Sequence, residues 1–359
     1  MNFQKYLNLN KKIAIYGCGQ LSAMTIKLWP SEIPGPNIYV DKYKSGRFNK
    51  KKIVSLKEFK KNYSDHLLIL ASFKIDPAYV NKVFKSINQE IITVYDIFQE
   101  YIKNSFSNGW HSKLTTATKK KVLTVKKILN DKYSKKVFTD VIDWRYKRKL
   151  NNNYLKNIEK NKYRNFFKKE QNKKFNIIDC GQYDWSFFND CKSKFKIDTF
   201  IGLEPSYKAF MIIKKQINFY KKRVQFIKII NQAISNKNKR EIFLDNSLLS
   251  SRIVNIKNKN TKMIKSQTLE NYYKLIKNKS LTTIVKLHIE GYENLVIDQS
   301  YKFLKKKNII LIINLSHNEK SLIETPIKLK EIGYKYFKFY NHSLFGEGLT
   351  LYASKNKNC

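Results

Sequence analysis

Short apolar runs alternate with helix-like stretches along this chain, and this alternation constrains the fold more than any other feature of the sequence. Strands joined by crossover helices form a parallel sheet that is covered on both faces. We therefore predict an α/β protein with two domains of this kind. The predicted strands are Lys11–Gly17, Asn37–Asp41, Leu67–Ser72 and Glu90–Asp96 in the first domain, and Phe175–Gly181, Thr199–Pro205, Val224–Ile230, Thr282–Gly291 and Asn308–His317 in the second.

The end of the chain breaks the alternation. The runs Gly333–Tyr340 and Gly348–Ser354 are separated only by the letters NHSLFGE, too few residues for a crossover helix. We predict an antiparallel hairpin there. A parallel sheet that ends in such a hairpin is typical of Rossmann-like class I methyltransferase domains that use S-adenosylmethionine, and dinucleotide-binding domains usually lack it.

Residues 101–170 show no strand pattern. Their apolar residues recur at helical spacing and lysines fill the remaining face, as in an amphipathic helix that packs on a neighbour. We predict three parts: a Rossmann-like, nucleotide-binding-like domain at 1–100, a helical connector at 101–170 and a methyltransferase-like domain at 171–359.

The net charge of +43 suggests a polyanion-binding protein, but the residues that carry it do not. Only 7 of the 71 basic residues are arginine, the side chain that binds phosphates and bases in a bidentate manner. We therefore do not expect nucleic acid as the main partner. Four irregularly spaced cysteines indicate free thiols in a reducing compartment. Because no apolar run is long enough to span a bilayer, we expect a cytoplasmic protein without a membrane span.

Both domains open with a glycine turn that is followed by an acidic residue at the end of the next strand. In the first domain Gly17 and Gly19 follow the strand, and Asp41 stands 22 residues after Gly19. In the second, Gly181 follows the strand and Glu204 comes 23 residues later. Glycine lets backbone N–H groups approach a ligand, and the later carboxylate accepts bonds from ribose hydroxyls. For the first domain two interpretations stay open: an unoccupied tight turn, which the missing third glycine favours, and a nucleotide site formed by Gly17, Gly19 and Asp41.

Several strings of the second half resemble one family. In chain order they are FNIIDCGQYDWSFF, FIGLEPS, SQTLENYY, VKLHIEGYENLVI, SLIETPIKLKEIGYKYFKFYNHS and LTLYAS. Over residues 120–354 they resemble the FkbM family of S-adenosylmethionine-dependent methyltransferases. The resemblance implies O-methylation of a sugar or another small hydroxyl acceptor, in glycan, polysaccharide or natural-product biosynthesis.

The same resemblance implies which residues bind the cofactor. Asp179 and Gly181 match the strand-end turn that packs against the methionine part of S-adenosylmethionine. Tyr183 lies in the same turn, and we include it among the cofactor-binding residues. Glu204 matches the acid that holds the ribose hydroxyls.

The candidate catalytic residues follow the next two strands. Glu290 matches the family's acidic motif that faces cofactor and substrate, and His317 ends the following strand. His317 and His288 are candidate bases because an imidazole titrates near neutral pH. Together with Glu293 these residues match no closed ligand set by spacing, so we expect no metal.

Some positions depart from the expected patterns. Trp185 stands where the family usually has glycine, Gln182 where it has alanine and His288 where it has aspartate. We expect the Trp185 indole to crowd the cofactor's amino-acid end. In the first domain, Ser22 replaces the third glycine of the dinucleotide motif. Two alternatives therefore stay open: a catalytically degenerate protein that binds a nucleotide or nucleotide-sugar, and an RNA methyltransferase.

Overall fold

The structure is a computed structural model that describes residues 11–72, 75–101, 112–147, 155, 158, 163, 166, 167, 172–245, 251–254, 257, 260–343 and 348–357. The helices are α1 (Gln20–Lys27), α2 (Leu56–Asn62), α3 (Pro77–Lys85), α4 (Val94–Tyr101), α5 (Thr116–Ile128), α6 (Lys132–Lys147), α7 (Ser186–Lys192), α8 (Tyr207–Lys221), α9 (Leu269–Tyr273), α10 (Glu293–Gln299), α11 (Tyr301–Lys306) and α12 (Glu319–Ile332).

The strands form three sheets. They are β1 (Ile13–Tyr16), β2 (Ile38–Val40), β3 (Arg47–Phe48), β4 (Lys51–Val54), β5 (Leu67–Leu70), β6 (Ile92–Thr93), β7 (Lys174–Cys180), β8 (Lys196–Leu203), β9 (Phe226–Ile230), β10 (Ala233–Ile234), β11 (Lys239–Leu244), β12 (Arg252–Ile253), β13 (Thr261–Gln267), β14 (Thr283–Leu287), β15 (Ile309–Asn314), β16 (Tyr336–Asn341) and β17 (Leu349–Ser354).

The chain divides into two compact units, and each contains a parallel α/β sheet. The first unit comprises Met1–Lys113, Thr139–Ile158 and Ser343–Gly346, and the second comprises Leu114–Phe138, Glu159–His342 and Glu347–Cys359. The predicted α/β class with two Rossmann-like domains is confirmed. The predicted domain boundaries at residues 100 and 170 stay predictions.

The sheet of the first unit has the strand order β3-β4-β2-β1-β5-β6, with β3 antiparallel and the other strands parallel. The predicted strand Glu90–Asp96 is shorter than expected, because α4 begins at Val94. The Asp96 carboxylate accepts bonds from the N–H and the hydroxyl of Thr93, both at 2.8 Å. A side chain that reaches back to the residue before a helix stabilises the helix start, and so it ends the strand early.

The sheet of the second unit has seven strands in the order β16-β17-β15-β14-β7-β8-β9. The strands from β15 to β9 are parallel, and β17 and β16 add to them as an antiparallel hairpin. The predicted hairpin is therefore confirmed. From β7 the chain first adds β8 and β9 on one side of the sheet, and it later adds β14 and the remaining strands on the other side.

A small four-stranded sheet, in the order β10-β13-β11-β12, belongs to the second unit and was not predicted. Its strands alternate buried and exposed residues: Ile264 and Ser266 of β13 are buried, whereas Met263 and Lys265 are exposed. Only one face of this sheet is apolar, so its strands lack the continuous apolar runs of the parallel sheets.

Trp185 lies in the core beside the seven-stranded sheet. Its indole stacks on the ring of Tyr220 with centroids 3.9 Å apart and contacts Phe188 and Phe200. Tyr220 stands in the last turn of α8, and α8 starts just after the carboxyl end of β8 and crosses back along the sheet. The indole therefore points away from the carboxyl ends of the strands, and the expectation that it crowds the cofactor's amino-acid end is wrong.

Three of the cysteines, Cys18, Cys180 and Cys191, are buried free thiols, and Cys359 lies outside the described residues. Burial, reinforced by the nearby Asp41 carboxylate, raises the pKa of the Cys18 thiol to about 12. No helix in the described part of the chain is both long and apolar enough to cross a bilayer.

Replacing Trp185 tests its place in the core. Trp185→Ala should lower the free energy of unfolding by about 3–5 kcal/mol, because the substitution leaves a cavity among aromatic side chains. Tyr207→Ala, on an exposed ring of α8, is the matched control and should change it by less than about 0.5 kcal/mol. Urea denaturation, monitored by circular dichroism, measures the free energy of unfolding of both variants. Equal stability of Trp185→Ala and wild type would contradict this placement.

Candidate active site

The candidate site lies at the carboxyl edge of the seven-stranded sheet. In open α/β sheets, ligands bind outside the carboxyl ends of the strands, where the strand order reverses. Strand β7 is such a point, because β8 lies on one side of it and β14 on the other. The predicted residues of the second domain at this edge are Asp179, Gly181, Tyr183, Glu204, His288, Glu290 and His317.

A buried ion pair lies beneath this edge. The Oδ1 atom of Asp179 is 2.6 Å from the Nζ atom of Lys286, on the neighbouring strand. The same Nζ donates to the carbonyl oxygen of Gly181 at 2.8 Å. Burial alone lowers the pKa of the Lys286 ammonium, but the Asp179 charge outweighs burial and the pKa is raised. Asp179 therefore holds the glycine turn through Lys286.

The turn after β7 requires glycine at its first position. Gly181 has φ +75°, and a Cβ atom there would lie 2.0 Å from the carbonyl oxygen of His288. Tyr183 also has a positive φ of 46°, which a residue with a side chain rarely adopts. The N–H groups of Gly181 and Gln182 both donate to the Leu203 carbonyl at 3.0 Å. These two N–H groups therefore bind the end of β8. The sequence predicted for this turn N–H groups that contact a ligand, and these two are not such groups.

Glu204 is the buried acid at the end of β8. Its Oε2 accepts from the N–H of Tyr183 at 3.0 Å, and its Oε1 accepts from the N–H of Ser206 at 2.8 Å. Burial raises the pKa of this carboxyl to about 7, against the opposing effect of the two N–H donors and of Lys286. A carboxylate has about four acceptor positions, so each oxygen keeps capacity for a further donor.

His288, Glu290 and His317, called the triad below, meet at the ends of β14 and β15. The Nε2 atom of His288 is 3.5 Å from Oε1 of Glu290, and Nδ1 of His317 is 3.6 Å from Oε2 of the same carboxylate. One nitrogen or oxygen from each residue lies within 4.8 Å of those of the others. The triad thus joins two imidazoles to the two oxygens of one carboxylate.

Glu293 supports the triad from inside the protein. Its carboxylate is fully buried and accepts from the N–H groups of Ile289 at 2.9 Å and Gly291 at 3.0 Å. Burial raises the pKa of this carboxyl to about 7, despite its backbone donors. Its Oε1 atom is also 3.5 Å from Nε2 of His317. Glu293 therefore fixes the loop that carries Glu290, and its carboxylate faces the ring of His317.

A cleft of about 650 Å³, called the side cleft below, is lined by Gly291 and Asn318, which follow Glu290 and His317 directly in the chain. An ion pair between Lys121 and Glu324 at 2.8 Å joins two of its walls. Asn294 is buried, its carbonyl accepts from Thr325, and its amide nitrogen has no hydrogen-bond partner among the described residues. The cleft wall is therefore polar, and one unused donor lies buried behind it. The lining includes Thr118, Lys121, Gly291, Asn294, Asn318 and Glu324.

In the first unit, the Asp41 carboxylate accepts hydrogen bonds from the backbone of its own loop and of the glycine turn. Its Oδ2 accepts from the N–H of Cys18 at 2.8 Å, and its Oδ1 accepts from the N–H groups of Tyr43 at 2.8 Å and Lys44 at 3.1 Å. The ammonium of Lys44 donates to the Cys18 carbonyl at 2.7 Å. The acid predicted to bind a ribose thus holds the turn in place, and a nucleotide in this unit stays a prediction.

The glycine turn of the first unit also explains why Ser22 stands where the dinucleotide motif has its third glycine. Gly17 has φ +107°, and a Cβ atom there would lie 2.9 Å from the carbonyl oxygen of Ala71. Ser22 donates to the carbonyl of Gly17 and lies 3.3 Å from that of Ala71. A small side chain with a hydroxyl therefore fits between α1 and the strands β1 and β5. By contrast, a Cβ atom at Gly19 would meet nothing within 4 Å.

Sequence reasoning missed Lys286 and Asn294. A signal for Lys286 was present, because it is the one charged residue inside the apolar run TTIVKL, and a lysine in a buried strand requires an anionic partner. Asn294 carried no comparable signal, since a polar residue in the first turn of a surface helix is ordinary.

No family model matches the chain, and no curated protein is significantly similar to it. Among solved structures, the chain is similar to a methyltransferase FkbM from Methylobacillus flagellatus KT, with 14% identity, a TM-score of 0.69, and 96% of this chain and 90% of that chain covered. A precorrin-6y C5,15-methyltransferase from Geobacter metallireducens GS-15 is only weakly similar, with 12% identity and a TM-score of 0.29 over 52% of this chain and 82% of that chain. The predicted resemblance to an FkbM methyltransferase is thus confirmed as a likeness of fold, and it extends into the first unit.

Proposed function

We propose that this protein is an S-adenosylmethionine-dependent methyltransferase that methylates a hydroxyl group of a sugar or another small polar acceptor. The observation that carries the proposal is Glu204, a buried acid that the glycine turn holds at the switch point of the sheet. The cofactor supplies an electrophilic methyl group on a sulfonium. The work left to the protein is to bind both reactants, orient them and accept a proton.

The residues at the edge fit an adenosyl group. The Glu204 carboxylate keeps acceptor capacity after binding two N–H groups, which suits the two hydroxyls of a ribose. The Trp185 indole, which would have filled the methionine end, is packed on Tyr220 instead. Asp179, Gly181 and Tyr183 form the turn beside that end. This arrangement supports an active S-adenosylmethionine-dependent methyltransferase over a catalytically degenerate protein.

The side cleft supports a hydroxylated acceptor. Its walls carry an ammonium, carboxylates and amides, which both donate to and accept from hydroxyl groups. Such donors discriminate strongly between ligands, because a ligand without the matching group leaves them unpaired. Carbohydrates have the required density of hydroxyl groups, which favours a role in polysaccharide or glycan biosynthesis.

The triad lies beside this cleft and is the natural place for the acceptor hydroxyl. His288 and Glu290 are partly exposed, with side chains 22% and 17% accessible, whereas His317 is only 1% accessible. We assign the contact with the hydroxyl to His288 and Glu290. His317, which was a candidate base, becomes a positioning residue that holds the Glu290 carboxylate.

Removing the acid at the end of β8 tests cofactor binding. S-adenosylmethionine at 100 times its dissociation constant should stabilise the wild type by about 2.7 kcal/mol. Glu204→Ala should abolish the corresponding rise in Tm. Glu58→Ala, which removes a surface carboxylate of the first unit, should keep it. A shift that survives in Glu204→Ala, or is absent from the wild type, would contradict the proposal.

The pH dependence of S-adenosylmethionine binding distinguishes an effect of the Glu204 charge from an effect of the packing of its side chain. The ionised carboxylate is the form that accepts from ribose hydroxyls, and the pKa of Glu204 is raised to about 7. Affinity for S-adenosylmethionine should therefore weaken as the pH falls from 8 to 6, by at most about tenfold per unit. In Glu204→Gln the affinity should be weaker and should lack this pH-dependent component.

Product formation with a panel of acceptors tests the acceptor class. Hexoses, 6-deoxyhexoses, hexosamines and their nucleotide-linked forms are offered, and release of S-adenosylhomocysteine is measured. With the sugar that is turned over, His288→Ala and Glu290→Gln should lower kcat by about 10²–10⁴-fold, with unchanged affinity for S-adenosylmethionine. Methylation of RNA with no turnover of any sugar would contradict the acceptor assignment.

A further inference from the structure

We propose that the triad binds one divalent cation of the zinc type, with His288, Glu290 and His317 as its protein ligands. The inference rests on the proposed function for the use of the cation, but not for its binding. Two imidazoles and one carboxylate are the donor set of many catalytic zinc sites, which keep a further position open for water or substrate. The sequence spacing indicated no metal, and it is the meeting of two strand ends that brings the donors together.

The distances within the triad suit a cation. Two ligands bound at about 2.1 Å in a tetrahedral site are about 3.4 Å apart. The His288–Glu290 and His317–Glu290 distances are 3.5 and 3.6 Å, each to a different oxygen of the carboxylate. Both distances are close to that separation, and one donor atom from each of the three residues lies within 4.8 Å of the others.

Glu293 supplies the outer partner that metal-bound histidines require. In most metal sites the second ring nitrogen of a ligating histidine donates to a carboxylate or carbonyl, which fixes the tautomer and the ring orientation. His317 would use Nδ1 towards the cation, and its Nε2 is 3.5 Å from the buried carboxylate of Glu293. A fully buried acid thus faces the second nitrogen of this ring, in the place that the outer partner of a metal-bound histidine would take.

Two further contacts orient the other ligands. Glu290 is held at φ +55°, a conformation that costs free energy in a residue with a side chain and is often found at functional sites. Asn314 uses its carbonyl oxygen for Ser316, so its amide nitrogen faces Nε2 of His288 at 3.2 Å. This amide donor satisfies the Nε2 lone pair while no cation is bound, and a cation at Nε2 would take its place.

A cation at the triad would act on the acceptor. With three protein ligands, it would keep a position for the acceptor hydroxyl, so that His288 and Glu290 would act on the hydroxyl through the cation and not by direct contact. Coordination lowers the pKa of a bound hydroxyl. The hydroxyl would lose its proton to solvent water, and the electron pair left on oxygen would form the bond to the methyl carbon while the carbon–sulfur bond breaks and S-adenosylhomocysteine leaves. No oxidation or reduction is involved.

Cobalt and zinc titrations of the full chain test the site without any cofactor or acceptor. The protein is stripped with a chelator and titrated with Co²⁺, whose visible absorption reports its coordination, and Zn²⁺ is then added to displace it. We expect one equivalent of each metal. Glu293→Gln should weaken binding by about 10–100-fold, the usual effect of losing an outer carboxylate, and His317→Ala by at least as much.

Two variants at the partly exposed position 288 keep the test decisive if the buried variants unfold. His288→Gln should lose the cobalt absorption while its circular dichroism and Tm stay close to those of the wild type. His288→Asp should shift the preference from Zn²⁺ towards Mn²⁺ or Mg²⁺, because oxygen donors favour harder cations. His66→Gln removes a histidine from another histidine–carboxylate pair and should leave binding unchanged.

Three results would overturn the metal site. They are the absence of a stoichiometric equivalent, binding that survives in His288→Gln, and a near-ultraviolet thiolate band that places cobalt on a cysteine. The thermal shift with S-adenosylmethionine is measured on the same samples. A shift without metal binding would leave the proposed function standing, and metal binding without a shift would leave the metal site standing.

Discussion

The buried ion pair between Asp179 and Lys286 lies beneath both parts of the candidate site, and their geometry depends on it. The pair joins β7 to β14 close to their carboxyl ends, and Lys286 also holds the carbonyl of Gly181. That contact fixes the turn whose backbone binds Glu204, and the strand that carries Lys286 leads directly into His288. Two buried charges are tolerated because each compensates the other, and the loss of either leaves an unpaired charge in the core.

Much of this architecture could be predicted from the sequence, because local pattern and connection length decide it. Continuous apolar runs indicate buried parallel strands, and a connection as short as NHSLFGE excludes a crossover and forces the hairpin. The strand-end residues Glu204, Glu290 and His317 could also be named, since the carboxyl ends of neighbouring parallel strands meet at one edge. What they bind there stays a prediction.

Other features depend on contacts between distant parts of the chain, and no local pattern reports them. The direction of the Trp185 indole is set by Tyr220, in the last turn of a different helix. The four-stranded sheet has one solvent-exposed face, so its lysine-containing strands resemble a surface loop in the sequence. The triad is assembled from two strands whose ends are far apart in sequence, and the outer role of Glu293 is visible only when the His317 ring is placed beside it.

We propose that the carboxyl edge of the seven-stranded sheet receives an adenosyl group and that the Glu204 carboxylate holds its ribose. A crystal structure of the full chain with S-adenosylhomocysteine tests it most directly. The account predicts ribose hydroxyls within hydrogen-bond distance of both Glu204 oxygens, with the Trp185 ring still stacked on Tyr220. Ligand density elsewhere, or an indole turned into the crevice beside Gly181, would contradict it.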